Sequence, residues 1–292
     1  MRPAQVMEMA KKANALPTIS PRGLSYKSML SVLYAHSIGD YKLIANECSE
    51  VLKTLAATPG VFRSYYHFFL VSLGVAQIAL KKYKAANKSF SQATLHVYRK
   101  THNEYILKFY QTINALHAEQ YQKAYNIVAS TKRCKFEDIR QQFAIIEAYL
   151  CFLARFGYLT LNKTFRIGKY LNETIKAQSD KQGSNIAILI AELLVYLSRD
   201  RAKFIDRVEA VNNYSYRHLK DRETRRAKQF IQILCKIPRA NFNAVALRRI
   251  AQRQIQYLEN NPMWMGNNFA VEVIPFERLF EMILDQLQRK VA

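Results

Sequence analysis

The chain predicts an all-α fold of antiparallel helix pairs, and three observations lead there. Apolar residues recur at helical spacing almost throughout, with breaks where turn residues cluster. Only 8 Gly and 7 Pro are spread over 292 residues, too few for the many turns of an all-β protein. Small residues also stand where two helices would have to approach closely, above all in Phe68–Tyr98, FFLVSLGVAQIALKKYKAANKSFSQATLHVY. A hydrophobic content of 50% suffices for a large core, as one array or as two compact units.

Taken in order, the periodicity places an opening helix near 3–15, ending before Pro17. It looks like the second helix of a pair with no first helix before it. That fits an N-terminal cap or a truncated member of a longer family. Pairs follow near 22–37 with 40–57, 61–80 with 83–99, and 103–118 with 121–131. Further pairs are expected near 136–156 with 162–178, 183–198 with 200–218, and 220–237 with 241–260. Thr58-Pro59-Gly60 is a turn signal, Pro238 follows an apolar helix end, and Pro275 suits the first turn of a final helix reaching Lys290. Strand alternation is weak everywhere except Phe269 to Ile274. The run Asn260–Asn268 breaks the helices and holds the sole tryptophan, Trp264. With the apolar helix after it, this segment reads as a cap over the open end of the core, in preference to a tail anchored in a partner by Trp264.

Leu73-Gly74, Tyr83, Ala86, Phe90 and Ala93 carry a more specific pattern. Gly74 and Ala86 allow two backbones to approach, while Tyr83 at the turn and Phe90 one face further on fill the space beside them. This stretch resembles one tetratricopeptide repeat. Gly39-Asp40-Tyr41 matches that family's inter-helix turn, although Ile44 and Cys48 replace the expected small and aromatic residues. Tyr121 and Ala124 match again, with Thr112 in place of the glycine and Val128 in place of the aromatic. One repeat cannot bury its own apolar face, so an array is implied. The resemblance implies a right-handed α-solenoid of antiparallel helix pairs with terminal capping helices. Its expected divisions are a cap at 1–20, tetratricopeptide-like repeats at 21–132, divergent pairs at 133–261, and a loop with a capping helix at 262–292.

The same resemblance implies a non-catalytic scaffold that binds a protein or peptide partner on a concave face lined by the first helix of each pair. The corresponding residues are Tyr26, Met29, Leu33 and His36, then Phe68, Val71, Val75 and Ile78, then Ile106, Phe109, Ile113, Leu116 and His117. That face is apolar enough to receive an amphipathic helix, unless tight coiling or a neighbouring helix already covers it.

Charge offers an alternative. The chain has 44 Lys+Arg against 22 Asp+Glu, a net charge of +22 that attracts nucleic acid, anionic membrane or an acidic protein. The tract from Arg199 to Arg253 concentrates it, with 15 Lys/Arg against 5 Asp/Glu. Arg222, Arg225, Arg226, Arg248, Arg249 and Arg253 form a candidate basic patch, with Tyr214 and Tyr216 close by in sequence. Such arginines with aromatics suit single-stranded RNA or DNA. They equally suit an acidic partner or a wet helix side.

Motifs for chemistry are missing from the sequence. It contains no GxGxxG, HExxH, CxxC or GxSxG, so neither enzyme activity, a cofactor nor a metal site is expected. Cys48, Cys134, Cys151 and Cys235 are far apart in apolar helical patterns and read as buried core residues of a reduced chain. The N-terminal residues lack the apolar run of a signal peptide, and Tyr65–Leu80 is interrupted by His67, Ser72 and Gln77. A soluble cytoplasmic protein without a membrane span is the expectation.

Overall fold

The computed structural model describes residues 3–15, 20–56, 63–161, 184–265 and 272–289. Among the described residues there are fourteen α-helices, two short 3₁₀ turns and no strand. The chain divides into two units. The first comprises Met1–Ala118, Ile127–Ile139 and Trp264–Asn268; the second comprises Glu119–Asn126, Arg140–Met263 and Phe269–Ala292.

The first unit holds α1 (Pro3–Ala15), α2 (Pro21–Ile38), α3 (Tyr41–Ala56), α4 (Arg63–Ala79), α5 (Tyr83–Thr94) and α6 (His102–His117). Each helix packs on the next. In addition α2 touches α4, and α4 touches α6, so the first helices of successive pairs lie side by side. Local sequence sets these limits. Ser20 accepts the Gly23 N–H at 3.1 Å and Pro21 occupies the first helical position of α2, both ordinary start signals. Gly39 ends α2 in the left-handed region at φ 72°. Asp40 then accepts the Leu43 N–H at 2.9 Å and starts α3.

The approach of α4 to α5 is set by Gly74. A Cβ there would lie 2.3 Å from Cε1 of Phe90, well inside van der Waals contact. Ala86, Phe90 and Ala93 complete this seam and are essentially inaccessible to solvent. After α5 the chain leaves the helix at Thr94, short of the expected 99, and turns through Leu95–Lys100. Thr101 then caps α6 by accepting the Glu104 N–H at 3.3 Å. Two further helices, α7 (Tyr121–Ala129) and α8 (Glu137–Arg155), contribute residues to both units.

The second unit contains α9 (Ser184–Arg199), α10 (Arg201–His218), α11 (Arg225–Lys236), α12 (Ala244–Ile250), α13 (Gln252–Asn260) and α14 (Phe276–Arg289). Here α9 packs on α10, α10 on α11, and α11 on α13. Helix α14 packs against α11, α12 and α13, burying Phe276, Leu279, Phe280, Met282, Ile283, Leu284 and Leu287. Phe230 and Phe276 stack with ring centroids 4.6 Å apart and planes at 9°. The single helix expected over 241–260 is two, because Ala251 adopts φ −96° and ψ 0° and interrupts the ladder. The element expected from 220 begins with a 3₁₀ turn, Arg222–Thr224, before α11.

The helix expected at 162–178 and the turn at 58–60 lie outside the described residues. So do 269–271 of the candidate strand, while residues 272–274 are not a strand. The four cysteines are free thiols, Cys48 and Cys134 buried, Cys151 and Cys235 half-buried. Among the described residues no helix is long and apolar enough to cross a membrane.

Candidate functional site

The apolar stripe along α2, α4 and α6 divides into an open part and a closed part. Tyr26 (55%) and Leu33 (37%) are exposed, and Met29, Phe68, Val71 and Ile106 are half-buried. Val75, Phe109 and Ile113 are not surface residues: they retain 3% exposure or less and belong to the core. Ile78, Leu116 and His117 are buried with them. The reason is the side-by-side packing of α2, α4 and α6. A stripe at helical spacing is broader than the surface these neighbours leave uncovered, so its inner half faces the adjacent helix. His36 is half-buried, and desolvation pulls its pKa down from 6.5 to about 4. At the outer edge Tyr26 meets Tyr65 edge-on, with centroids 5.7 Å apart.

Trp264 lies within the first unit, against the turn between α2 and α3. A Cβ on Gly39 would come within 2.4 Å of its Cζ3 atom, and the adjacent Met265 N–H donates to the Tyr41 hydroxyl at 2.5 Å. The half-buried tryptophan therefore packs on this turn.

The basic patch also divides. Arg226 is a correction to the sequence reading, since its side chain is only 8% exposed. It forms paired hydrogen bonds of 2.9 and 2.8 Å with Glu272, reaches Glu277 at 2.8 Å, and donates to the carbonyls of Leu258 and Asn261. Burial alone would lower its pKa, but the hydrogen bonds and negative charge of Glu272 and Glu277 outweigh this and hold it above the ordinary arginine value. Arg248 is exposed, bonds Glu281 at 2.7 Å and lies over the Phe280 ring. Arg222, Arg225, Arg249 and Arg253 are exposed. Tyr214 packs on His218, whereas Tyr216 is 54% exposed.

Arg253 joins two cations that sequence reasoning did not single out. With Lys236 of α11 and Arg239 of the following 3₁₀ turn it lines a cleft of about 390 Å³ between α10, α11 and α13. Amide side chains from these helices, Tyr216 and Cys235 make up the rest of the wall, and no described carboxylate lines it. Desolvation first, and then the charges of Arg239 and Arg253, hold the Lys236 ammonium below its ordinary pKa. One signal in the sequence points here: between Thr224 and Leu258 there are eight Lys/Arg and no Asp/Glu. Helices that deep in positive charge have no carboxylates of their own to pair with.

Among the described residues no three His, Cys, Asp or Glu side chains converge to hold a metal ion. No protein-family model matches this chain, and no curated protein or solved structure matches it.

Proposed function

We propose that this chain is a non-catalytic, tetratricopeptide-like helical scaffold that holds an acidic amphipathic segment of a protein partner along α2, α4 and α6. The observation that carries this reading is the strip Tyr26, Met29, Leu33, Phe68, Val71 and Ile106, which stays at least partly exposed on three adjoining helices. Apolar side chains at helical spacing on neighbouring helices suit a helix laid in a shallow groove, where a few anchors carry most of the affinity. An acidic partner follows from the net charge of +22, which steers anions toward the surface. A reducing compartment such as the cytoplasm suits a chain with four free thiols.

The test is direct titration of the full chain with labelled acidic amphipathic helical peptides. Tyr26→Asp with Leu33→Asp should weaken binding at least tenfold at unchanged helicity, since both side chains are already exposed. Equal affinity in the double variant and the parent would remove the strip from the account.

A second reading, binding of nucleic acid through the tract 199–253, is favoured by the cleft of Lys236, Arg239 and Arg253. It makes use of cations with no carboxylate partner among the described residues. Retention on immobilised RNA at low salt, lost as salt is raised, is its expected signature.

A further inference from the structure

The second unit gathers Lys236, Arg239 and Arg253 along one cleft, and no described carboxylate lines it. Some other cations of this unit pair with acids: Arg226 has Glu272 and Glu277, Arg207 has Glu192, and Arg248 has Glu281. Lys236, Arg239 and Arg253 have no such partner among the described residues. The cleft they share is nevertheless an ordered one. The Lys236 ammonium donates to the Ile250 carbonyl at 2.7 Å and to Oε1 of Gln254 at 2.6 Å. These two bonds use two of its three N–H donors. Gln254, only 9% exposed, donates in turn to Gln232 at 3.4 Å, and Gln232 reaches the Tyr216 hydroxyl at 3.5 Å. Two short hydrogen bonds thus hold the ammonium, and longer contacts continue from it through Gln254 and Gln232 to Tyr216.

We propose that this cleft binds the terminal monophosphate of a nucleotide, with Lys236, Arg239 and Arg253 on the phosphate and Tyr216 beside the nucleoside. Three features select this ligand. A terminal monophosphate carries close to two negative charges near neutral pH, against one for a carboxylate or a phosphodiester, and so answers three cations lining one cleft best. The volume of about 390 Å³ falls in the range of small-molecule sites and exceeds what a bare phosphate fills. The exposed Tyr216 ring, with the Lys228 ammonium 4.9 Å from its centroid, supplies the aromatic-plus-cation surface on which bases stack.

The same chemistry comes from a free mononucleotide or from the phosphorylated end of a single strand. The proposal rests on the second reading above only in the latter case.

The experiment titrates the full chain with four probes: uridine monophosphate, a short oligouridylate with a 5′-phosphate, the same strand with a 5′-hydroxyl, and inorganic phosphate. Arg239→Gln and Arg253→Gln, both at exposed positions, are compared with Arg133→Gln, an exposed arginine in the turn after α7. The expected result is binding that requires the terminal phosphate, falls about tenfold in each cleft variant and is unchanged in Arg133→Gln. Tight binding of the mononucleotide with none of either strand supports the cleft and removes the nucleic-acid reading. Tight binding of the phosphorylated strand supports both. Strand binding indifferent to the terminal phosphate and to Arg239 and Arg253 overturns the cleft while leaving nucleic-acid binding standing. Inorganic phosphate binding as tightly as the nucleotide overturns the nucleoside contact, and no binding by any probe overturns both.

Discussion

Adding one methyl group at Gly74 tests the seam between α4 and α5. The new Cβ would sit 2.3, 2.6 and 2.8 Å from three atoms of the Phe90 ring, which is 1% exposed and has little room to retreat. Overpacking of this kind costs about 1–3 kcal/mol, against about 1 kcal/mol gained when alanine replaces glycine in a helix. Gly74→Ala should therefore destabilise the first unit by up to about 2 kcal/mol in chemical denaturation, and Phe90→Leu should recover part of any loss in the double variant. A stabilising Gly74→Ala would mean the two helices are not this close. Acid should act on the same unit through His36. Burial lowers its folded pKa from 6.5 to about 4, so between those values the unfolded chain holds a proton that the folded chain does not. Its contribution is fully present above pH 6.5 and is lost as pH falls toward 4, amounting to at most about 3 kcal/mol. His67 and His96 are shifted in the same direction, burial again being the main cause. His36→Leu should flatten the stability profile between pH 6.5 and 4 relative to the parent. An unchanged profile would place the histidine in water.

At the scale of elements, the turn between α2 and α3 combines two demands that a single residue meets. Gly39 takes φ 72°, and the Trp264 ring fills the space a side chain would need, 2.4 Å from an ideal Cβ. Gly39→Ala should cost about 2 kcal/mol or more, combining the left-handed penalty of about 1–2 kcal/mol with the clash. Trp264→Ala should remove the clash but not the backbone strain, so a double-mutant cycle should show a coupling above about 0.5 kcal/mol. Additive losses would mean the ring does not rest on Gly39. Because Trp264 is the sole tryptophan, its fluorescence reports this contact without labels. The turn itself was legible, since Gly39-Asp40-Tyr41 follows an apolar helix and offers both a left-handed glycine and a capping aspartate. The tryptophan's place on it was not legible, because that contact joins residues more than two hundred positions apart and no local pattern records it. Helix ends failed for a related reason. Ala251 breaks 241–260 into two helices with neither glycine nor proline, and α5 stops at Thr94 although helix-compatible residues continue beyond it. Periodicity shows which residues share a face, whereas the end of a helix depends on what it packs against.

For the whole molecule, charge is the property most visible in the sequence and the one most altered by folding. Composition counts every arginine alike, and the six chosen for the basic patch shared spacing and little else. Folding makes Arg226 the centre of a buried network with Glu272 and Glu277, leaves Arg225 in water, and brings Arg253 beside Lys236 and Arg239, which no spacing linked to it. The apolar strip behaves similarly: its period marks the right helices, yet the inner residues Val75, Phe109 and Ile113 are taken by the core. These differences can be measured through salt. Each cation that touches a phosphate of a single strand contributes about 0.7 to the slope of log K against log salt, through release of a bound counterion. If a strand tracks the exposed arginines of the second unit, Arg253→Gln should lower the slope by about that amount. Arg226→Met should leave the slope unchanged, because its guanidinium is sealed from solvent and already neutralised. It should instead lower stability by about 3–5 kcal/mol, the usual result of leaving a buried partner charge unpaired. Salt titrations must therefore be run well below its unfolding temperature. Should Arg226→Met lower the slope as much as Arg253→Gln while stability holds, Arg226 would be a surface contact after all, and the division of the basic tract into buried and exposed cations would fail.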